Sequence, residues 1–88
     1  MRVWKYELHT GRQTIQMPAG AQIVSAQMQG SSPCIWALVD PDRMLKPRIV
    51  ELVGTGEPMD RSGRRHVGTM VTGRGGKLVL HVFEVVRL

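Results

Sequence analysis

Apolar and polar residues alternate along most of the chain with a period of two, the spacing of strands that turn one face to a core. Residues 2–9 place Trp4, Tyr6 and Leu8 on one face and Lys5, Glu7 and His9 on the other, and residues 13–17 set Ile15 and Met17 against Thr14 and Gln16. Between residues 21 and 29 the apolar stripe is Val24, Ala26 and Met28, with Ile23 out of phase. Two segments are apolar on both faces. Residues 34–39 carry Cys34, Trp36 and Leu38 on one side and Ile35, Ala37 and Val39 on the other, punctuated by Pro33 and Pro41. Residues 77–87 carry Leu78, Leu80, Val82 and Val86 against Val79, Phe83 and Val85.

Glycine and proline mark the breaks: turns at 10–12, 18–20 and 30–32, a charged loop at 41–47, a stop at 54–58 and a hairpin turn at 73–76. Residues 48–53 and 66–72 have strand composition, and residues 59–65 form a polar, cationic loop between them. No stretch shows a sustained helical period. The pattern predicts an all-β domain spanning residues 1–88, a small antiparallel barrel or sandwich of about six or seven strands. A chain of this size cannot enclose two doubly apolar strands in one thin layer, so a second copy of the chain is expected to cover the remainder as a homo-oligomer, the alternative being a surface for a different protein.

Composition narrows the setting. Cys34 is the single cysteine, which rules out an intramolecular disulfide, and with no cationic-then-apolar leader this points to a reducing, cytoplasmic location. No apolar run approaches the roughly 20 residues that span a bilayer. With 12 Lys+Arg against 7 Asp+Glu the net charge is +5, which favours an anionic partner: a nucleotide, a nucleic acid or an acidic protein surface.

Most catalytic arrangements are disfavoured. His9, His66 and His81 lie far apart with no cysteine pair and no carboxylate at ligand spacing, so no metal site or cofactor is expected. Cys34 reads as a small buried hydrophobe, and the serines show no nucleophile elbow. His81 reads as a hydrogen-bonded histidine sharing a face with Val79 and Phe83. What remains is the region from Gly54 to His66. Glycines either side of Thr55 let backbone N–H groups converge on an oxyanion, and Arg61, Arg64, Arg65 and His66 follow with donors suited to phosphate. The expected ligand-binding set is Trp36, Arg48, Gly54, Thr55, Gly56, Arg64, Arg65 and His66, with Trp36 or Trp4 available to stack on a base. The competing account of the same loop is a solvated, charged turn.

The segments Met17-Pro18-Ala19-Gly20, Pro33-Cys34-Ile35-Trp36-Ala37-Leu38-Val39-Asp40-Pro41, Val53-Gly54-Thr55-Gly56 and Leu80-His81-Val82-Phe83-Glu84 together resemble a family of short, uncharacterised proteins of bacteriophages and prophages. The resemblance implies an accessory role against host defence, by occluding a host protein or sequestering a nucleotide signal, and carries no catalytic residues with it. Three functions compete: a homo-oligomeric binding module that traps a phosphate-bearing small molecule, a basic inhibitor docking on host protein or nucleic acid, and a phosphodiesterase using His66 or His81. The first draws on every feature above; the third lacks paired catalytic groups.

Overall fold

The alternating segments become seven strands: β1 (Arg2–Glu7), β2 (Gly11–Pro18), β3 (Gln22–Gln29), β4 (Ser32–Val39), β5 (Leu45–Gly54), β6 (Arg64–Thr72) and β7 (Leu78–Val85). The computed structural model to which they belong describes residues 1–87. Every pairing is antiparallel, and the strands form two sheets, β1-β4-β3 and β2-β5-β7-β6. No helix among the described residues is long and apolar enough to cross a membrane.

The two sheets face each other as a sandwich, so the barrel expected as one alternative is corrected: the sheet does not close. β3 packs against β6 without a ladder between them. Each carries a bulge on the approach, β3 between Ile23 and Ser25 and β6 between His66 and Gly68. A bulge twists the strand and interrupts its pairing edge. Gly68 allows the close contact, since a Cβ there would stand 3.1 Å from that of Ala26.

The core is the inner layer between the sheets. β4 contributes Ile35, Ala37 and Val39, β5 contributes Val50 and Leu52, and β7 contributes Leu80 and Val82, with Met17 and Met70 from the flanking strands. The bulge also corrects the phase read along β3. Ile23 turns inward before it, Val24 is the extra residue and stands 51% exposed, and Ala26 and Met28 turn inward after it. β5 starts at Leu45 and includes Pro47, where a loop was expected. Its first pair with β7 is Ile49 with Val85, so at Pro47 it is locally an edge strand, where proline is tolerated. Arg64 and Arg65 likewise belong to β6 and not to a free loop, because both pair with β7 and carry side chains fixed by carboxylates.

The molecule measures 41 × 30 × 16 Å, which leaves room for one interior layer. The outer faces of both sheets therefore meet solvent. Trp36 and Leu38 are half-buried on the outer face of β4, beside exposed Val3, and Phe83, His81 and Val79 are half-buried on the outer face of β7.

Candidate functional site

Where β7 ends, Val86 and Arg87 turn off the sheet and donate their N–H groups to the Gly63 carbonyl at 2.7 and 3.2 Å. Gly63 has φ +67, and a Cβ there would collide with the Arg87 backbone carbonyl, so glycine is required at this junction. β5 continues past this point, and the step between the two strands opens a cleft of about 580 Å³ lined by Pro47, Arg48, Ile49, Arg65, Glu84, Val85, Val86 and Arg87. Three arginines against one glutamate give the lining a net charge of +2.

The carboxylate came from a residue that the apolar pattern of the last strand passed over. Glu84 continues the inward stripe of Leu80 and Val82, pairs in register with Val50 and Arg65, and is 4% exposed. Arg48 clasps it through Nε and Nη2, the latter 3.1 Å from Oε1, and donates from Nη1 to the Ala21 carbonyl at 2.8 Å. Arg65 donates from Nη2 to Oε1 at 2.6 Å. Burial pushes the Glu84 carboxyl upward, but the Arg48 hydrogen bond and charge, with those of Arg65, outweigh it and hold the group below its ordinary value. An acidic residue within an apolar stripe of a basic chain is the signal that could have found it, since a buried carboxylate needs cationic partners. Tyr6, on the inner face of β1, has a hydroxyl closed off from solvent with no hydrogen-bond partner among the described residues. Burial raises its pKa, against the opposing charge of Arg48.

Arg64 is held differently. It forks onto Glu51 at 2.9 and 3.2 Å and donates to the Ser62 carbonyl at 2.7 Å, while Arg12 reaches the same carboxylate from β2. The Arg64 hydrogen bond, despite the opposing effect of burial, holds the Glu51 carboxyl below its ordinary value with help from Arg12. This cluster lies on the outer face of the four-stranded sheet.

Of the residues nominated from sequence, Arg48 and Arg65 meet in the cleft, and Arg64 stands on the opposite face of its strand. Gly54, Thr55 and Gly56 lie at the far end of β5, about 20 Å along the strand from Arg48 at the usual rise per residue. There the Gly54 N–H donates to Glu57 Oε1 at 3.2 Å, so a carboxylate of the chain itself takes that donor, and the Thr55 N–H donates to the Val79 carbonyl at 3.2 Å. Trp36 points outward from the other sheet. Thr55 and His66 belong instead to a second group on the outer face of the four-stranded sheet. Thr55 Oγ1 lies 2.8 Å from His81 Nε2, His81 Nδ1 lies 3.1 Å from Thr69 Oγ1, and the same Oγ1 lies 3.2 Å from His66 Nε2. Register explains the grouping, since Thr69 is directly opposite His81 and His66 is opposite Phe83, on whose ring it packs at 5.2 Å. No group of three or more His, Cys, Asp or Glu side chains placed to hold a metal ion occurs among the described residues.

No curated protein and no solved structure matches the chain. A family model does, described as a domain of unknown function, DUF7352; it covers residues 1–88, and the chain belongs to that family.

Proposed function

We propose that the protein is a non-catalytic binding module that captures a phosphate-bearing small molecule in the Arg48–Arg65–Arg87 cleft. A nucleotide signal of a bacterial host is the ligand class that the phage-type resemblance favours. The observation that carries the reading is the state of Arg65. Its side chain is 56% exposed, its Nη2 is engaged by Glu84, and its Nε and Nη1 have no partner among the described residues. Arg48, by contrast, directs Nε, Nη1 and Nη2 to protein acceptors, which makes it the counter-charge that lets Glu84 stay ionised below the ligand. Arg65 and Arg87 then supply the donors for a phosphate, for which a forked guanidinium is well shaped. Of the set read from sequence, Arg65 is kept as a donor to the ligand and Arg48 as its support through Glu84, Arg87 is added, and Trp36 and the glycines are left out.

The module works as a homo-oligomer in this reading. Val3 and Val24, 60% and 51% exposed, flank half-buried Trp36 and Leu38 on the outer face of the three-stranded sheet, and a second copy would cover them.

The test is thermal unfolding against a panel of mononucleotides, cyclic nucleotides and inorganic phosphate, alongside light scattering. A ligand that binds only the folded state raises Tm, by several degrees for a domain of this size when well above its Kd. Arg65→Ala should weaken that ligand about tenfold or more while leaving the Tm of the free protein nearly unchanged. No shift with any nucleotide, combined with salt-sensitive retention on heparin, favours the basic inhibitor that docks on nucleic acid or acidic protein. A chemically altered nucleotide recovered from the mixture restores the enzyme reading. A monomer at micromolar concentration removes the oligomer.

A further inference from the structure

The group formed by His66, Thr69, His81 and Thr55 is separate from the cleft and plays no part in the function proposed above. Its two imidazoles come from adjacent strands and converge on one hydroxyl: His81 Nδ1 at 3.1 Å and His66 Nε2 at 3.2 Å from Thr69 Oγ1. A hydroxyl has one proton to donate, so it satisfies one imidazole lone pair at a time.

The far side of His81 is organised as well. Thr55 Oγ1 lies 3.4 Å from the Val79 carbonyl and 2.8 Å from His81 Nε2. With the threonine hydroxyl donating to that carbonyl, His81 donates its Nε2–H to Thr55, and its Nδ1 lone pair is turned toward Thr69 and His66. This is the support that metal-ligating histidines have, where a hydrogen bond from the second ring nitrogen fixes the tautomer and aims the first. Phe83, packed on the His66 ring at 58° between planes, limits the orientation of the other imidazole. Both rings stand on the outer face of the sheet, where His66 is exposed and open to an entering ion.

We propose that His66 Nε2 and His81 Nδ1 form a two-histidine site for a divalent transition metal, with the Thr69 hydroxyl beside it and water completing the coordination. Neutral imidazoles select zinc, nickel or copper(II), and magnesium or calcium, which prefer a cage of oxygens, are excluded. Such a pair is hard to see along the chain, because 14 positions separate the two residues and only the β6–β7 register brings them together.

The test uses the untagged chain of residues 1–88, titrated calorimetrically with zinc or nickel chloride and, in parallel, with copper(II) followed by electron paramagnetic resonance. The expected result is one equivalent bound per chain, nitrogen hyperfine structure from two imidazoles, a rise in Tm that a chelator reverses, and no response to magnesium. His66→Ala, on the exposed edge strand, should abolish binding with the fold intact, as should His81→Ala where it folds. Thr55→Val, which removes only the partner of the second nitrogen, should weaken binding by about 10–100-fold. His9→Ala should bind as the unaltered protein does. Absence of stoichiometric binding, or binding that survives His66→Ala, overturns the proposal.

Discussion

Glu84 stands on the core side of β7 with a guanidinium on either hand, so replacing its carboxylate leaves Arg48, only 21% exposed, without its counter-charge. Removing one partner of a buried ion pair is among the costliest single changes a fold can suffer. Glu84→Gln should therefore destabilise the protein by about 3 kcal/mol in urea unfolding, at the low end for such a break because one of its two partners reaches solvent. Arg65→Ala should cost under about 1 kcal/mol, since Arg48 alone still clasps the carboxylate and an exposed bridge contributes little. Equal losses in the two variants would show that Glu84 is not the organising charge. The same comparison separates two arginines adjacent in sequence. Arg65 points into the cleft with donors to offer, whereas Arg64 points the other way and is closed around Glu51 and the Ser62 carbonyl.

At the scale of the strands, the seam between β3 and β6 is where the sandwich depends on a single missing side chain. Gly68→Val puts methyl groups where a lone Cβ would already stand 3.1 Å from that of Ala26, and should destabilise by about 1–3 kcal/mol. The double variant Gly68→Val with Ala26→Gly should recover part of that loss in a mutant cycle, as contacting residues do; strict additivity would mean that the two strands do not press on each other there. The same seam marks how far the sequence could be read. Alternation located β1, β2 and β3, because a period of two is a local property visible in Trp4-Tyr6-Leu8 or Ile15-Met17, while β4 to β7 were read from apolar runs and strand composition between glycine and proline breaks. It misjudged Val24, because a bulge inserts one residue and reverses the phase, and the only local sign was that Ile23 did not fit. Sheet membership was not legible, since β5 takes β2 and β7 as neighbours through pairs such as Gly11 with Leu52 and Ile49 with Val85, far apart along the chain. The candidate site suffered for the same reason. Arg48 and Arg65 were recognised as donors, but their common partner Glu84 is defined by register alone.

For the molecule as a whole, Glu51 and Glu84 tie together most of the four-stranded sheet. Glu51 on β5 receives Arg12 from β2 and Arg64 from β6, and Glu84 on β7 receives Arg48 from β5 and Arg65 from β6. Through Arg48 the second cluster also holds the turn that leads into β3. Both carboxyls have folded-state pKa values below their ordinary value of 4.5, so the folded protein binds protons less readily than the unfolded chain. Their contribution to stability is then fully present above about pH 5 and is lost as pH falls through 4.5 toward their folded values. Tm should be nearly level from neutral pH down to about 5 and fall steadily below 4.5. Glu84→Gln, which carries no carboxyl to titrate at that position, should start from a lower Tm and lose less of it across the same acid range, and Glu51→Gln should behave alike. A wild-type Tm that stays level to pH 3, or variants that keep the full acid slope, would mean that other groups govern acid unfolding and that these clusters do not bind the sheet together.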